Sequence, residues 1–243
     1  MTAAVVIPAR YGSTRFPAKI LASATGRPLV QHVVDQARLC TRVREIIVAT
    51  DDSRIVAALS KYETKTVMTR VEHQSGTDRI AEVAQSLADD IIINVQGDEP
   101  EISPSTIDSL IQLMQQSPCD MATVVTPFAK DADPNNPNIV KAVISHDGKA
   151  LYFSRSAIPY HRPPTYTGAA PYYHHLGIYG YRRSFLLKFA GWKPSVLEQT
   201  EKLEQLRALE HGATIQTIVI DHAPPGIDTA EQYEAFVRRV AGV

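Results

Sequence analysis

Apolar and polar positions alternate along the first half of the chain in two rhythms. Short runs rich in Val and Ile predict strands, and the longer amphipathic stretches between them predict helices. The predicted strands are 3–7, 45–49, 65–68 and 91–95, and the predicted helices are 28–39, 53–59, 77–87 and 104–114. Strands that alternate with helices of this length predict an α/β fold with a doubly wound, mostly parallel sheet.

The rhythm changes after a predicted strand at 121–126. Residues 130–138 are polar and proline-rich, which predicts a loop, and two apolar runs around Asp147-Gly148 predict a β-hairpin. The remaining predictions are hairpin strands at 139–145 and 150–153, an exposed loop at 160–172, strands at 176–181 and 215–220, and helices at 200–211 and 229–240. We therefore expect one domain, 1–243, with a strand-rich lobe inserted at about 130–181.

Composition and charge narrow the classes of protein. Hydrophobic residues make up 44% and charged residues 21%, which is ordinary globular usage and excludes a disordered chain. A formal net charge of -1 gives no basic field for nucleic acid or a membrane surface. The chain contains two cysteines, Cys40 and Cys119, and its apolar runs are shorter than the ~18 residues that a membrane span needs. These features predict a cytoplasmic protein with reduced cysteines.

The segment at residues 5–19 concentrates basic chemistry. A buried strand is followed by a loop with Arg10, Arg15 and Lys19 but no acidic residue. In a doubly wound sheet, ligands bind beyond the carboxyl ends of strands, so cations and loop amides there suit a polyphosphate. The loop has neither the Walker pattern nor the dinucleotide fingerprint. A solvated basic loop is the alternative.

Two acidic residues are candidate metal ligands. Asp98 follows the predicted strand 91–95, and an aspartate there suits Mg²⁺, which favours one or two carboxylates together with phosphate oxygens. The alternative for Asp98 is a simple turn. Asp228 precedes the last helix and offers a second carboxylate; its alternative role is the N-cap of that helix.

Further polar residues cluster in two places. Ser75 or Thr77 can cap the helix predicted at 77–87, and the start of that helix could meet a nucleobase or ribose. In HHLGIYGY, residues 174–181, adjacent histidines point to opposite faces of a strand, so we expect one of them to face a polar pocket with Tyr179. Two glutamates of the predicted helix 200–211 differ in position. Glu204 lies at the edge of the apolar stripe, whereas we expect Glu201 to be a charged side chain in solvent.

Eight motifs, in order along the chain, carry a resemblance to a known family. They are IPARYGSTRFPAK, ATDD, MTRVEHQSGTDR, NVQGDEP, ALYFSRSAIP, HHLGIYGY, LEQLR and GIDT. With them the chain resembles the 3-deoxy-D-manno-octulosonate (Kdo) cytidylyltransferases over essentially its whole length. The resemblance implies a nucleotidyltransferase version of the doubly wound fold and a homodimer formed through the inserted lobe. It also implies Mg²⁺-dependent transfer of CMP from CTP to the anomeric hydroxyl of Kdo, with release of pyrophosphate, to supply CMP-Kdo for lipopolysaccharide biosynthesis.

The resemblance also implies roles for particular residues. Arg10 and Lys19 would bind the CTP phosphates and act in catalysis together with Asp98 and Asp228, the two expected Mg²⁺ ligands. Arg15 would lie between the phosphates and the sugar acid. The residues expected near the cytidine are Ser75 and Arg79. Those expected to line the Kdo pocket are Gln96, Arg155, His175, Tyr179, Glu204 and Gln205, with Arg155 as the partner of the sugar carboxylate.

The chain departs from the family pattern in one loop. Ala18 and Ile20 replace a customary Gly and Pro, and from this we expect altered loop flexibility with activity retained. The GSTRF and ATDD variants leave 8-amino-8-deoxy-Kdo open as the acceptor. The rival functions are CMP-sialic acid synthesis, a metal-dependent glycosyltransferase and a nucleotide-binding module without turnover; the absence of a D-x-D pair at Asp98 counts against the glycosyltransferase.

Overall fold

The computed structural model describes residues 1–13, 15–129, 132–162 and 172–242 and divides the chain into two units. The first unit contains Met1–Ile111 and Pro224–Val243, and the second contains Gln112–Ala223. Thr14, the start of the predicted lobe and most of the predicted loop 160–172 lie outside the described residues. The inserted lobe at about 130–181 falls within the second unit and stays a prediction.

Strands and helices follow one another in the predicted order through most of the chain. The strands are β1 Ala3–Ala9, β2 Glu45–Thr50, β3 Thr66–Met68, β4 Ile91–Asn94, β5 Met121–Pro127, β6 Lys141–Ile144, β7 Ala150–Ser154, β8 Tyr173–Arg182 and β9 Ile215–Val219. The helices are α1 Leu29–Arg38, α2 Ser53–Leu59, α3 Gly76–Gln85, α4 Pro104–Gln116, α5 Arg183–Phe189, α6 Val196–Glu201, α7 Gln205–Glu210 and α8 Ala230–Ala241. A short 3₁₀ helix, Lys19–Leu21, precedes α1.

The first unit contains a parallel sheet with the strand order β3-β2-β1-β4. All residues of β1 and β4 are buried, as expected for strands of a sheet covered on both faces. The predicted α/β class with a mostly parallel sheet is confirmed. Because β1 and β4 run in parallel, with Val6 beside Asn94, the loops that follow them leave the sheet at the same edge.

Within the second unit, β5 pairs with β8 in antiparallel and with β9 in parallel orientation. The predicted β-hairpin is confirmed, because β6 and β7 pair in antiparallel orientation on either side of Asp147-Gly148. Gly148 has φ of 79°, a left-handed conformation that glycine adopts without a steric penalty. The short helix α5, which directly follows β8, was not predicted.

The single helix predicted at 200–211 is wrong, because α6 and α7 take its place. Helix α6 begins earlier, with Ser195 as N-cap and Glu198 completing a capping box. It ends at Glu201 and is followed by Lys202, whose φ of 55° is left-handed. Leu203 and Leu206 are both buried, so the apolar positions of this segment do face the core. The segment nevertheless forms two helices, with a break between Glu201 and Gln205. In the described part of the chain, no helix has the length and apolar character needed to cross a membrane.

Candidate active site

The loops after β1 and β4 enclose a pocket in the first unit. At Gly97 an added Cβ would lie 3.1 Å from both the Pro8 carbonyl oxygen and Ile20 Cδ1, so glycine allows the two loops to approach this closely. The pocket has a volume of about 400 Å³. Its polar lining includes Arg10, Ser13, Arg15, Lys19, Gln96, Asp98 and Asp228.

Lys19 lines this pocket and contacts both of its carboxylates. Its ammonium Nζ donates to Asp98 Oδ2 at 2.7 Å, to Asp228 Oδ1 at 3.1 Å and to the carbonyl oxygen of Ile227 at 2.7 Å. The lysine is only 8% exposed, so these charge-assisted hydrogen bonds are partly shielded from water. The structure therefore brings together three residues that lie far apart in the sequence.

Backbone contacts explain the position of Asp228. The Ile227 N–H donates to the Asp98 carbonyl at 2.9 Å, and the Ile227 side chain is buried in a cluster with Tyr233 and Phe236 of α8. The N-cap of α8 is Thr229, whose side chain accepts a hydrogen bond from the Gln232 N–H. The alternative that Asp228 caps this helix is therefore wrong, and its carboxylate is left to face Lys19 and Arg15.

The backbone just before Lys19 is strained. Ala18 has φ 55° and ψ 22°, the left-handed region that costs an L-residue about 1–2 kcal/mol. This conformation turns the chain into the 3₁₀ helix that carries Lys19 and buries Ile20 to 5% exposure. Glycine adopts the same conformation without that steric cost, which accounts physically for the glycine that is customary here.

Asp98 and Asp228, the carboxylate pair, form a donor set that fits Mg²⁺. Their side chains are 31% and 46% exposed, so both reach water as well as Lys19. In the described part of the chain, no three His, Cys, Asp or Glu side chains are grouped to hold a metal. A two-carboxylate site suits Mg²⁺, which keeps waters and takes substrate phosphate oxygens as its other ligands.

The residue after Asp98 was missed by the sequence analysis. Burial, together with the neighbouring Asp98 carboxylate, raises the pKa of Glu99 to about 8, so this carboxyl group is largely protonated at neutral pH. The signal in the sequence was an acidic residue next to Asp98, in the short segment that follows the buried strand β4.

Of the other residues expected to bind CTP, some line the pocket and some do not. Arg10 and Arg15 line the pocket, and the Arg10 guanidinium donates to the His73 carbonyl at 3.1 Å. Ser75 is the N-cap of α3, and Gly76 beside it lines the pocket. Arg79 is fully buried, and its guanidinium donates to Asp51 at 2.6 Å. Contact of Ser75 or Arg79 with cytidine stays a prediction.

In the second unit, His175 and Tyr179 lie together on β8. Their ring centroids are 5.4 Å apart, and a bulge in β8 opposite Thr123 changes the register between them. His175 Nε2 lies 2.9 Å from the Thr123 hydroxyl, which itself donates to the Ile178 carbonyl at 2.8 Å. The hydroxyl hydrogen is then used, so His175 must donate through Nε2–H. Of the two adjacent histidines, His175 is therefore the one beside Tyr179.

Glu204 acts on Tyr179, and Gln205 follows Glu204 in the chain. Burial raises the pKa of Tyr179 above its usual range, and the Glu204 carboxylate raises it further. Gln205 is 4% exposed, and its amide Nε2 has no hydrogen-bond partner among the described residues. A buried amide donor without a partner is costly unless a ligand satisfies it. We call His175, Tyr179, Glu204 and Gln205 the second-unit cluster.

Arg155 lies beside α6 and is held by backbone groups. Its guanidinium donates to the carbonyl oxygens of Glu201 at 2.7 Å, Pro137 at 2.8 Å and Lys202 at 3.4 Å. Glu201 is not the solvated charge that we expected, because its carboxylate accepts hydrogen bonds from the Ser154 hydroxyl and the Arg155 N–H. Binding of a sugar carboxylate by Arg155 stays a prediction.

Comparisons with known proteins show the family of the chain. A family model described as cytidylyltransferase matches residues 4–215. The 3-deoxy-manno-octulosonate cytidylyltransferase of Elusimicrobium minutum is 48% identical over 93% of both chains, and that of Rhodopirellula baltica is 45% identical over 99% of both. The chain belongs to the 3-deoxy-manno-octulosonate cytidylyltransferase family. The family membership expected from the eight motifs is thus confirmed.

Solved structures place the fold within the same group. A CMP:2-keto-3-deoxy-manno-octonic acid synthetase complexed with CTP matches the whole chain and 99% of its own, with a TM-score of 0.94 and 42% identity. A glucose-1-phosphate thymidylyltransferase from Bacillus anthracis, at 13% identity and a TM-score of 0.70, shares the fold alone. The nucleotidyltransferase type of the α/β fold is therefore confirmed.

Proposed function

We propose that the chain is a cytidylyltransferase that transfers CMP from CTP to the anomeric hydroxyl of Kdo and releases pyrophosphate. The observation that carries the proposal is the Lys19 ammonium between the Asp98 and Asp228 carboxylates, in a pocket that Arg10 and Arg15 also line. Relatives that share the family bear the name of this activity, and one was solved with CTP. The product would serve lipopolysaccharide biosynthesis.

The first unit would bind the triphosphate. CTP is a polyanion, so the cations Arg10, Arg15 and Lys19 would offset its charge, and the arginine forks suit the planar spacing of phosphate oxygens. Lys19 reaches the pocket from a nearly buried stem, so its ammonium is held in one place before the nucleotide arrives. That pre-organisation lowers the entropy lost on binding.

Asp98 and Asp228 would hold Mg²⁺. When bound there, the metal would neutralise charge at the reacting phosphate and lower the pKa of a coordinated hydroxyl group. The backbone would fix the two carboxylates that hold the metal. Asp98 follows the closely packed Gly97, and Asp228 follows Ile227, whose N–H donates to the Asp98 carbonyl.

The transfer is an attack of the anomeric oxygen on the α-phosphorus of CTP. A new oxygen–phosphorus bond forms, the anomeric hydroxyl gives its proton to solvent, and the bond to the pyrophosphate leaving group breaks. Positioning and charge neutralisation supply most of the acceleration in reactions of this kind, and no covalent enzyme intermediate is needed. The protein's contribution is to hold two negatively charged substrates against their mutual repulsion.

The second-unit cluster would bind the sugar, together with Arg155. Kdo presents several hydroxyl groups, and the Glu204 carboxylate, the Tyr179 hydroxyl and the unpartnered Gln205 amide provide acceptors and donors for them. Gln96, which lies in the pocket of the first unit and donates to Asn94, was also expected to contact Kdo. Whether the acceptor is Kdo or its 8-amino analogue is decided by substrate comparison.

We also propose that the chain works in the cytoplasm as a homodimer. Both cysteines, Cys40 and Cys119, are free thiols, as is usual in a reducing compartment. The dimer rests on the family resemblance, and light scattering coupled to gel filtration would measure it; a monomeric mass at assay concentration would contradict it.

Mass spectrometry of the product tests the function. Purified protein is incubated with Mg²⁺, Kdo and either CTP, UTP or ATP, with a matched sample that contains EDTA. We expect CMP-Kdo from CTP alone, and loss of product with EDTA. Equal transfer from ATP or UTP, or no CMP-Kdo from protein shown to be folded, would contradict the proposal.

A further inference from the structure

Arg207 is a buried cation to which neither the sequence nor the proposed reaction gives a role. It is 5% exposed, and its guanidinium binds Glu198 through two bonds, from Nε to Oε2 and from NH2 to Oε1, each 2.7 Å long. The same NH2 group lies 3.2 Å from Glu204 Oε1. NH1 donates to the carbonyl oxygens of Phe189 and Trp192. Its neighbours thus fix the guanidinium plane from several sides.

These contacts join α6 to α7 across the break in the chain. Glu198 belongs to α6 and is itself fixed by the capping box with Ser195, whereas Arg207 belongs to α7. Between them, Lys202 adopts a left-handed conformation that changes the direction of the backbone. Glu204 directly precedes α7, so the tie between the two helices sets where its side chain begins.

We propose that Arg207 is a positioning residue that holds the Glu204 carboxylate in the orientation the second-unit cluster needs to bind the sugar. The inference rests on the proposed function. One guanidinium nitrogen serves both carboxylates, so the fork fixed on Glu198 leaves a single place for the Glu204 oxygen. A carboxylate free to rotate would lose part of its sugar affinity to side-chain ordering. A lysine, which is a point charge without a planar fork, would not fix it in the same way.

Two variants separate positioning from general support of the fold. Arg207→Lys keeps the charge but loses the fork. The matched control, Arg44→Lys, makes the same change at another arginine fork, which binds the buried Asp89 through two bonds before β2 and β4 in the first unit. Both variants should melt at lower temperature than the wild type. We expect Arg207→Lys to raise the KM for Kdo about tenfold, equivalent to about 1.4 kcal/mol of binding, with the KM for CTP within about twofold. Arg44→Lys should leave both KM values within about twofold.

The outcomes are distinguishable from a failure of the proposed function. A wild-type protein that turns over no Kdo overturns the function, and this inference with it. With an active wild type, a KM for Kdo that rises equally in both variants, or that does not rise in Arg207→Lys, overturns the positioning role alone. If Arg207→Lys gives no cooperative melt, Arg207→Gln is judged by the same comparison.

Discussion

Lys19 Nζ lies 2.7 Å from Asp98 Oδ2, and the same ammonium group also contacts Asp228. One nearly buried cation thus connects the loop after β1 with two carboxylates that come from distant parts of the chain. The arrangement explains how two carboxylates can face the same place in the pocket, because the lysine offsets their repulsion.

Replacement of Asp228 separates its chemistry from helix capping. We expect Asp228→Asn to lower turnover on the order of 10²-fold or more, because a proposed Mg²⁺ ligand is lost, while the melting temperature stays near that of the wild type. Thr229→Ala is the matched control: it removes the N-cap of α8 and should cost about 1 kcal/mol of unfolding free energy with turnover unchanged. Steady-state rates and urea melts measure both. An Asp228→Asn protein with full activity would remove Asp228 from the site.

Replacement of Lys19 tests its part in nucleotide binding. Lys19→Met keeps the length of the stem and removes the charge, so the KM for CTP should rise about tenfold or more. The measurement is the initial rate at varied CTP and saturating Kdo. Lys188→Met, at an exposed position on α5, should leave the KM for CTP unchanged. Equal KM values for Lys19→Met and the wild type would show that the ammonium serves only to hold the acids together.

The backbone at position 18 predicts a stabilising change. Ala18→Gly should raise the unfolding free energy by about 1 kcal/mol, because glycine adopts φ of 55° without the steric penalty that alanine carries. Ala18→Val should lower it, since β-branched residues are poorly tolerated at positive φ. Urea unfolding measures both changes. A destabilised Ala18→Gly protein would mean that the loop has a different conformation in solution.

Acid should destabilise the protein through His175. Burial, with a smaller effect of His174, lowers the pKa of His175 to about 3, whereas an unfolded histidine has a pKa of about 6.5. Above pH 6.5 the ring is neutral in both states. As the pH falls below that value, the unfolded chain takes up a proton that the folded protein does not, so the unfolding free energy decreases by up to about 1.4 kcal/mol per pH unit.

Urea melts at pH 7 and pH 5 measure this effect. The loss between the two pH values should be smaller in His175→Gln than in the wild type by roughly 2 kcal/mol. His146→Gln, at an exposed histidine, should keep the wild-type loss. A His175→Gln protein with the wild-type pH dependence would show that this ring is accessible to protons when folded.

The sequence predicted the parts of the fold that depend on local pattern. The buried strands β1 and β4 and the hairpin at Asp147-Gly148 follow from apolar runs and turn residues, which act over a few positions. The break at Lys202 did not follow, because a lysine in a left-handed conformation carries no signal in the sequence, and the leucine spacing around it continued as if the helix were whole.

The sequence predicted single residues of the candidate site but not the contacts between them. The basic loop and Asp98 were visible as chemistry at the ends of strands. The meeting of Lys19 with Asp228 depends on contacts between residues more than two hundred positions apart, and the spacing of residues along the sequence does not encode those contacts. The same is true of Arg207, which is one charge among many in the sequence and is distinguished only by its burial between two helices.

The most direct test of the proposed CMP transfer is Mg²⁺-dependent pyrophosphate release from CTP, measured in parallel with Kdo, 8-amino-8-deoxy-Kdo and N-acetylneuraminate. We expect release with Kdo or its amino analogue, abolished by EDTA and strongly reduced in Asp228→Asn. Release with N-acetylneuraminate alone would contradict the assignment of the second-unit cluster to Kdo. No pyrophosphate release with any of the three sugars, from folded protein, would contradict the proposed reaction itself.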